Sequence, residues 1–402
     1  MFKKFFLLFL ICVILAQGVP VFAQKAKSEK LTLNCISAVL MDAETGQVVF
    51  EKKATKKAYP ASITKILTVY LTAETCEPDE EMTASHAAID AVPRDSTNIA
   101  IDYDEQLTVE QAANAAMLMS ANDACNVLAE HISGDMKTFA GLMNDTAIAF
   151  GAHDSNFVNA NGLPDENHYT TALDFAKITA NAIKSEKFMQ YFGNKSYTIP
   201  PNNKKDEERP MSSKHRMMTW DKYAYLGVVG GKTGYTQQAK HTAVTYAKKD
   251  NKQWIAVVMG ASSLQEQLDD TEALLNYGYG MESVTLSKEQ MGTKQVENIL
   301  YVPVSAVQIH LPAGLKVEDL SYSFNKKQVS VLDKEGNVLA GVPIEMQKVK
   351  KPKGFFGILL EIAIWVLVVV VLFEIWRRHN IKKQRQKRRM QKLRQQMEQQ
   401  DE

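Results

Sequence analysis

Residues 362–373, IAIWVLVVVVLF, contain no polar side chain. A helix through them has no face that water would accept, so they cannot cover a soluble fold. Widened to 355–376, the apolar stretch makes about 33 Å of helix, enough to cross the hydrocarbon core of a bilayer. Glu361 then falls near one interface and Glu374 near the other. A helix lying along the membrane surface would need a polar face, which this run lacks. The tail at 377–402 holds ten Lys/Arg and three Asp/Glu, a formal +7 in a chain whose total is +1. The positive-inside rule places that tail in the cytoplasm and the folded part on the other side. A basic tail can also touch anionic lipid. The rest of the chain, +1 less +7, carries −6, which argues against nucleic-acid binding.

The N-terminus has the other membrane-directed pattern. Lys3 and Lys4 precede an apolar run, Gln17, Gly18 and Pro20 break it, and Val21-Phe22-Ala23 supplies a small residue for cleavage. Residues 1–23 therefore read as a secretory leader cut after Ala23, with an uncleaved anchor as the alternative. Cys12 leaves with the leader, and Cys35, Cys76 and Cys125 remain. An odd count is no disulfide framework. A Cys35–Cys76 bridge is one option, and buried thiols are the default. The eight histidines are scattered and no Cys-x-x-Cys or His-Glu-x-x-His pattern occurs, so the sequence expects no metal.

Between the two ends, ISAVLMDAETGQVVFEKKA reads as a hairpin turning at Ala43 to Gly46. Helical patterns follow. Thr108 and Gln111 form a capping box, and helical apolar spacing runs on through SANDACNVLAEHI. MKTFAGLMNDTAIAFG closes on Gly151, and TTALDFAKITANAIKS starts at Thr171 as N-cap. The later half is β-rich, with a hairpin turn at Lys248 to Asn251 and a last helix at TEALLNYGY. Strands at both sequence ends with helices between them predict an α/β (α+β) sandwich, 24–282, whose sheet gathers both ends. Short alternating strands at 283–351 predict a small all-β domain, followed by the transmembrane helix at 355–376.

Three short stretches carry chemistry. In YPASITKILT, Ser62 and Lys65 stand one helical turn apart, at a helix start where backbone N–H groups favour developing negative charge. Lysine can take the serine proton only if its pKa is lowered by burial or by a second cation. In MSANDA, Ser120 and Asn122 can both point into one cleft. In GGKTGYT, the strand pattern turns Lys232 and Gly234 to one side and Thr233 to the other, and the glycine admits a close ligand backbone. Each stretch alone also suits a helix cap or a turn.

In this order and at these spacings the three stretches resemble the penicillin-binding proteins and serine β-lactamases. With the flanks FVNANGLPDENHYTTALDFAKI and LMSANDA, the chain is similar to the low-molecular-mass D-alanyl-D-alanine carboxypeptidases over about residues 36–280. The resemblance implies the D,D-peptidase/β-lactamase fold. It implies Ser62 as nucleophile, Lys65 as its base, and the Ser62 and Tyr235 N–H groups as oxyanion hole. Ser120 would relay a proton to the leaving D-alanine, and Asn122 would hold Lys65 and the peptide amide. Lys232, Thr233 and Gly234 would bind substrate, with Lys232 and Thr233 on the terminal carboxylate and Lys232 also keeping Lys65 neutral. The implied partners are peptidoglycan stem peptides ending in D-Ala-D-Ala and covalently bound β-lactams, with no cofactor.

Three positions depart from the family pattern. No arginine occurs between Arg216 and Arg377, and Gln267 is the nearest match to the family's carboxylate-binding arginine. Lys240 stands where glycine is usual, and His215 where asparagine is usual; both are expected to be surface or packing variations. The alternatives are a D,D-endopeptidase, a β-lactamase or a non-catalytic wall scaffold. The loop NGLPDENHY has Glu166 but lacks the asparagine four residues on that a β-lactamase would use.

Overall fold

The computed structural model describes residues 31–219, 222–312, 314–349 and 355–398; the leader expected at 1–23 lies outside them. They fall into two compact units. One comprises residues up to Lys294 together with Tyr301–Glu345, and the other comprises Gln295–Leu300 with Met346–Glu402.

The first unit is built on a five-stranded antiparallel sheet. Its strands are β1 (Ser37–Asp42), β2 (Val48–Lys52), β3 (Val228–Thr236), β4 (Lys240–Lys249) and β5 (Lys252–Ala261), in the order β2-β1-β5-β4-β3. Both sequence ends meet in it, as expected. The first hairpin turns where Asp42 Oδ1 accepts hydrogen bonds from the N–H groups of Glu44 and Thr45 (3.1 and 2.6 Å), with Gly46 at φ +74°. The β4–β5 turn uses Asp250 and Asn251, both at positive φ, which suits the twist of a tight hairpin.

Strand periodicity divides the core. From β5, Ile255, Val257 and Met259 face one side, while Trp254, Ala256 and Val258 face the other. The first face packs on α1 (Lys65–Thr75), α4 (Met136–Ala149), α5 (Ala172–Ala182) and α6 (Glu186–Phe192); the second packs on α7 (Leu264–Gly280). A third cluster, with Leu107, Ala112, Leu118, Ala124 and Leu128, fills a helical lobe around α2 (Val109–Asn114) and α3 (Asn122–Ser133). Thr108 and Gln111 make the expected reciprocal cap, and Thr171 caps α5.

Helical spacing reads through 109–131, but the chain breaks inside it. After α2 comes one turn of π-helix, Ala115–Met119, and Ser120 then adopts φ +62°. No glycine or proline marks this break, and tertiary packing imposes it. Cys35, Cys76 and Cys125 are buried and carry no disulfide, so the bridge between Cys35 and Cys76 does not form.

Beyond α7, strands β6 (Glu282–Leu286) and β7 (Val307–Leu311) pair with each other. β8 (Ser321–Phe324), β9 (Gln328–Leu332) and β10 (Val338–Lys348) form an antiparallel run. Leu286, Ile309, Val329, Val331 and Leu339 give these strands a core of their own. A buried polar knot joins them to the main sheet. His310 Nε2 lies 2.7 Å from Asp42 Oδ2, Gln47 exchanges two hydrogen bonds with the His310 backbone, and the imidazole packs on Trp254 at 4.4 Å.

In the second unit, α8 (Phe355–Glu398) is one continuous helix. Its stretch Ile358–Met390 contains an 18-residue window of mean hydropathy 2.8, apolar enough to cross a membrane. The helix runs on past the expected span, from 376 to Glu398. The tail lacks glycine and proline and is rich in Lys, Arg, Gln and Met, all good helix formers. Glu374 pairs with Arg377 at 3.3 Å.

Replacing His310 by alanine leaves Asp42 Oδ2 buried without its imidazole partner, while Oδ1 keeps the turn N–H groups. Denaturant titration should show a loss of about 2–3 kcal/mol. An unchanged midpoint would mean that the knot contributes nothing.

Candidate active site

The nucleophile turn is strained and crowded. Ala61–Thr64 form a single 3-10 turn ahead of α1, and Ala61 has φ +52°, a conformation costing about 1 kcal/mol or more for a residue with a Cβ. The turn is clamped from two sides. A methyl group added at Gly234 would sit 2.7 Å from Ser62 N, and one added at Gly162 would sit 2.0 Å from Ala61 O. Glycine lets strand β3 and the loop at 152–170 press directly on the backbone that carries Ser62.

Lys65 opens α1 and is completely buried. Its Nζ donates to Ser62 Oγ (3.0 Å), Asn122 Oδ1 (2.7 Å) and the Asn161 carbonyl (2.5 Å). Those three acceptors come from its own helix turn, from α3 and from the 152–170 loop. The break at Ser120 turns the second motif inward: Ser120 Oγ accepts from Lys232 Nζ at 3.1 Å. Asp123 steadies this corner by accepting from the N–H groups of Ile99 and Ile101. On β3, Lys232 is buried and also donates to the Thr233 carbonyl at 2.7 Å. Tyr235 is 56% exposed, its ring tilted over His241 at 4.6 Å. Ser62, Lys65 and Asn122 thus share one hydrogen-bonded set and Ser120 and Lys232 a second, and Gly234 packs against the nucleophile turn.

Burial is the main cause that lowers both lysines. Lys65 falls to about 8, and Lys232 lies well below the ordinary lysine value, with the Lys65 charge as a further cause. The sequence expects Lys232 to keep Lys65 neutral; the pair acts instead on Lys232, while Lys65 is lowered by burial with Lys214 as the assisting cation. Lys214, on the loop before β3, lowers both.

Several residues that hold the site escaped the sequence reading. His168 is buried and uses both ring nitrogens: Nδ1 accepts from Val158 N–H (3.1 Å) and Nε2 meets Thr64 Oγ1 (3.0 Å). A backbone N–H can only donate, so the imidazole is neutral with its proton on Nε2. It ties the 152–170 loop to Thr64, the residue just before Lys65. Within that loop the Ala160 carbonyl accepts from Thr68 Oγ1 (2.6 Å), and Asn161 Nδ2 donates to Asn126 Oδ1 (3.0 Å). Glu166 is exposed. The only local signal for this framework is His168 and four asparagines in one loop.

The departures now have physical settings. His215 is buried, with Nε2 2.8 Å from Thr245 Oγ1, and a methyl group at Gly231 would meet its ring at 2.6 Å. It is a core residue beneath β3. Lys240 has φ +57°, which accounts for glycine as the usual residue there. Gln267 is buried and donates to Thr271 Oγ1 at 3.2 Å, so its amide is engaged within α7.

A sheet covered by helices on both faces, with a serine beside a buried lysine at the start of a helix, defines a serine peptidase of the penicillin-binding class. A sequence profile of the D-alanyl-D-alanine carboxypeptidase family matches residues 23–263, and the chain belongs to that family. It is 29% identical to D-alanyl-D-alanine carboxypeptidase DacF of Bacillus subtilis, across 83% of this chain and 90% of that one. It is 26% identical to D-alanyl-D-alanine carboxypeptidase DacC of Escherichia coli, across 81% and 83%. The solved Streptomyces K15 DD-transpeptidase superposes with TM-score 0.59 at 25% identity, over 63% of this chain and all of that one. Penicillin-binding protein 5 of Haemophilus influenzae shares the fold, with TM-score 0.67 at 24% identity, over 80% and 99%.

Two pH effects follow. With Lys65 lowered to about 8, its neutral form grows tenfold per pH unit below 8 and levels off above. The acylation rate constant with a penicillin should trace that curve, and a flat profile from pH 6 to 9 would contradict it. Burial lowers His168 to about 4, well under its unfolded value near 6.5. The unfolded chain therefore takes up a proton in that window and the folded chain does not, so stability falls as pH drops from 6.5 to 4. His168→Gln can still donate and accept but cannot titrate, and it should flatten part of that fall in a melting-temperature series.

Proposed function

We propose that the protein is a serine-type D-alanyl-D-alanine carboxypeptidase acting on peptidoglycan stem peptides. The reading is carried by one observation: Lys65 Nζ, fully buried, lies 3.0 Å from Ser62 Oγ. Ser62 Oγ attacks the carbonyl of the penultimate D-alanine while Lys65, in its neutral form, takes the proton. The tetrahedral oxyanion is stabilised by the backbone N–H groups of Ser62 and Tyr235. Collapse expels the terminal D-alanine, which receives a proton through Ser120. Asn122 keeps Lys65 aimed and holds the substrate amide. Lys232 and Thr233 receive the terminal carboxylate; an arriving anion favours the charged form of Lys232 that burial alone disfavours. Gly234 leaves room for the substrate backbone. Water then hydrolyses the acyl-enzyme. A β-lactam acylates Ser62 in the same way and stays.

We further infer the organisation around this site. A leader at 1–23 is removed, 24–282 forms the catalytic domain and 283–351 a β domain. The segment 355–376 spans the membrane, with the catalytic domain outside the cytoplasm and 377–402 inside. The exposed apolar side chains along α8 and the +7 tail support this orientation.

Ser62→Ala should abolish both fluorescent-penicillin labelling and D-alanine release from a D-Ala-D-Ala muropeptide, with the fold intact. Retained labelling would remove Ser62 as nucleophile. Lys232→Ala should raise KM for the free-carboxylate peptide by about tenfold or more, since a charged hydrogen bond worth about 1.5–3 kcal/mol is lost. Labelling by penicillin without D-alanine release from the wild type would redirect the assignment to crosslinked substrates.

A further inference from the structure

The two helices that deliver the catalytic motifs also meet at their other ends. α1 starts at Lys65 and α3 at Asn122, both in the cleft. The chain leaves α1 through Cys76, and the last turn of α3 carries His131. About 16 Å of helix separates the Lys65 end of α1 from this point. There, one ligand atom each from Cys76 (Sγ), Glu80 (carboxylate) and His131 (imidazole) lies within 4.8 Å of the other two. This is the one such group of His, Cys, Asp and Glu among the described residues.

Their positions are fixed. Cys76 N–H donates to the Thr72 carbonyl (3.0 Å), and the Glu80 carbonyl accepts from Val109 N–H (2.9 Å). The Glu80 carboxylate is oriented as a ligating carboxylate is in known metal sites: Oε1 accepts from Glu77 N–H at 2.8 Å, which leaves Oε2 3.1 Å from His131 Nε2. Thr75 Oγ1 donates to the Leu71 carbonyl (2.7 Å) and lies 3.7 Å from Cys76 Sγ, where it can accept from the thiol. Cys76 is buried, while the Glu80 and His131 side chains are 41% and 28% exposed. An ion therefore has an entry path and room for a water as fourth ligand. A thiolate, a carboxylate and a neutral imidazole together carry −2, which a dication cancels. Sulfur, oxygen and nitrogen donors in a four-coordinate shell suit Zn²⁺, whose bonds of about 2.0–2.3 Å put neighbouring ligand atoms about 3.3–3.7 Å apart. A Glu80–His131 ion pair alone would account for the 3.1 Å contact but not for the thiol gathered beside it.

We propose that Cys76, Glu80 and His131 form a structural Zn²⁺-class site that joins the far ends of α1 and α3. On binding, the sulfur–metal bond forms as the thiol releases its proton to solvent, with no change of oxidation state. The site is separate from the peptidase chemistry and does not depend on it.

The test uses the full chain in detergent, titrated with Co²⁺ as a spectroscopic substitute. The expected result is saturable binding of one ion, with a near-ultraviolet thiolate-to-cobalt band that Zn²⁺ abolishes. Cys76→Ser should remove the band, and His131→Ala and His131→Gln should each weaken binding by about tenfold or more. Zn²⁺ should raise the melting temperature of the wild type and leave that of Cys76→Ser unmoved. Penicillin labelling of Ser62 should be unchanged in all three variants, which shows that they fold. Absence of the band in the wild type, its survival in Cys76→Ser, or undiminished binding in both folded His131 variants would overturn the proposal.

Discussion

The site depends on taking one ammonium group out of water. A lysine at the start of a helix would ordinarily be solvated and charged, and useless as a base at neutral pH. Here Lys65 is sealed by the sheet, α3 and the 152–170 loop, and its Nζ is surrounded by oxygen acceptors from each side of the cleft. Burial without those acceptors would be costly, and acceptors without burial would leave the pKa where it began. The surrounding architecture supplies both. Strand β3 closes one side through Gly234, and the loop closes the other through Gly162 and the Asn161 carbonyl.

Strain gathers at the same place. Ala61, beside the nucleophile, and Ser120 of the second motif both have positive φ without being glycine, and a turn of π-helix precedes Ser120. Such backbones persist only where packing over-determines them. The packing here is strong: α1, α5 and α6 bury one face of the sheet, and the Asp123 carboxylate pins the Ser120 corner to the backbone at Ile99 and Ile101. His168 and His215 play comparable parts from beneath, as neutral buried rings: His168 holds the loop, and His215 bonds to Thr245 on β4 under Gly231 of β3.

The motif residues themselves were legible in the sequence because their spacing in the chain is distinctive. The framework around them was not. His168, Asn161 and Thr68 act through a backbone carbonyl or one ring nitrogen, and a residue type carries no mark of such a contact. Nothing in the sequence near Lys240 explains its departure from glycine; its backbone angle, φ +57°, does. His215 was expected at the surface or in packing, and its depth below β3 decided for packing.

The sequence alone determined the local facts: the hairpins, the caps at Thr108 and Thr171, an apolar segment long enough for a membrane, and three motifs in family order. Each rests on interactions between near neighbours or on a composition that admits one outcome. Tertiary structure decided what depends on contacts between distant residues. It broke a helical run at Ser120, carried the terminal helix on to Glu398, and left the three cysteines unbridged. It lowered Lys65 to about 8 by burial, and it brought Cys76, Glu80 and His131 together from segments about fifty residues apart. Burial and convergence are properties of the packed chain, and no local window of sequence contains them.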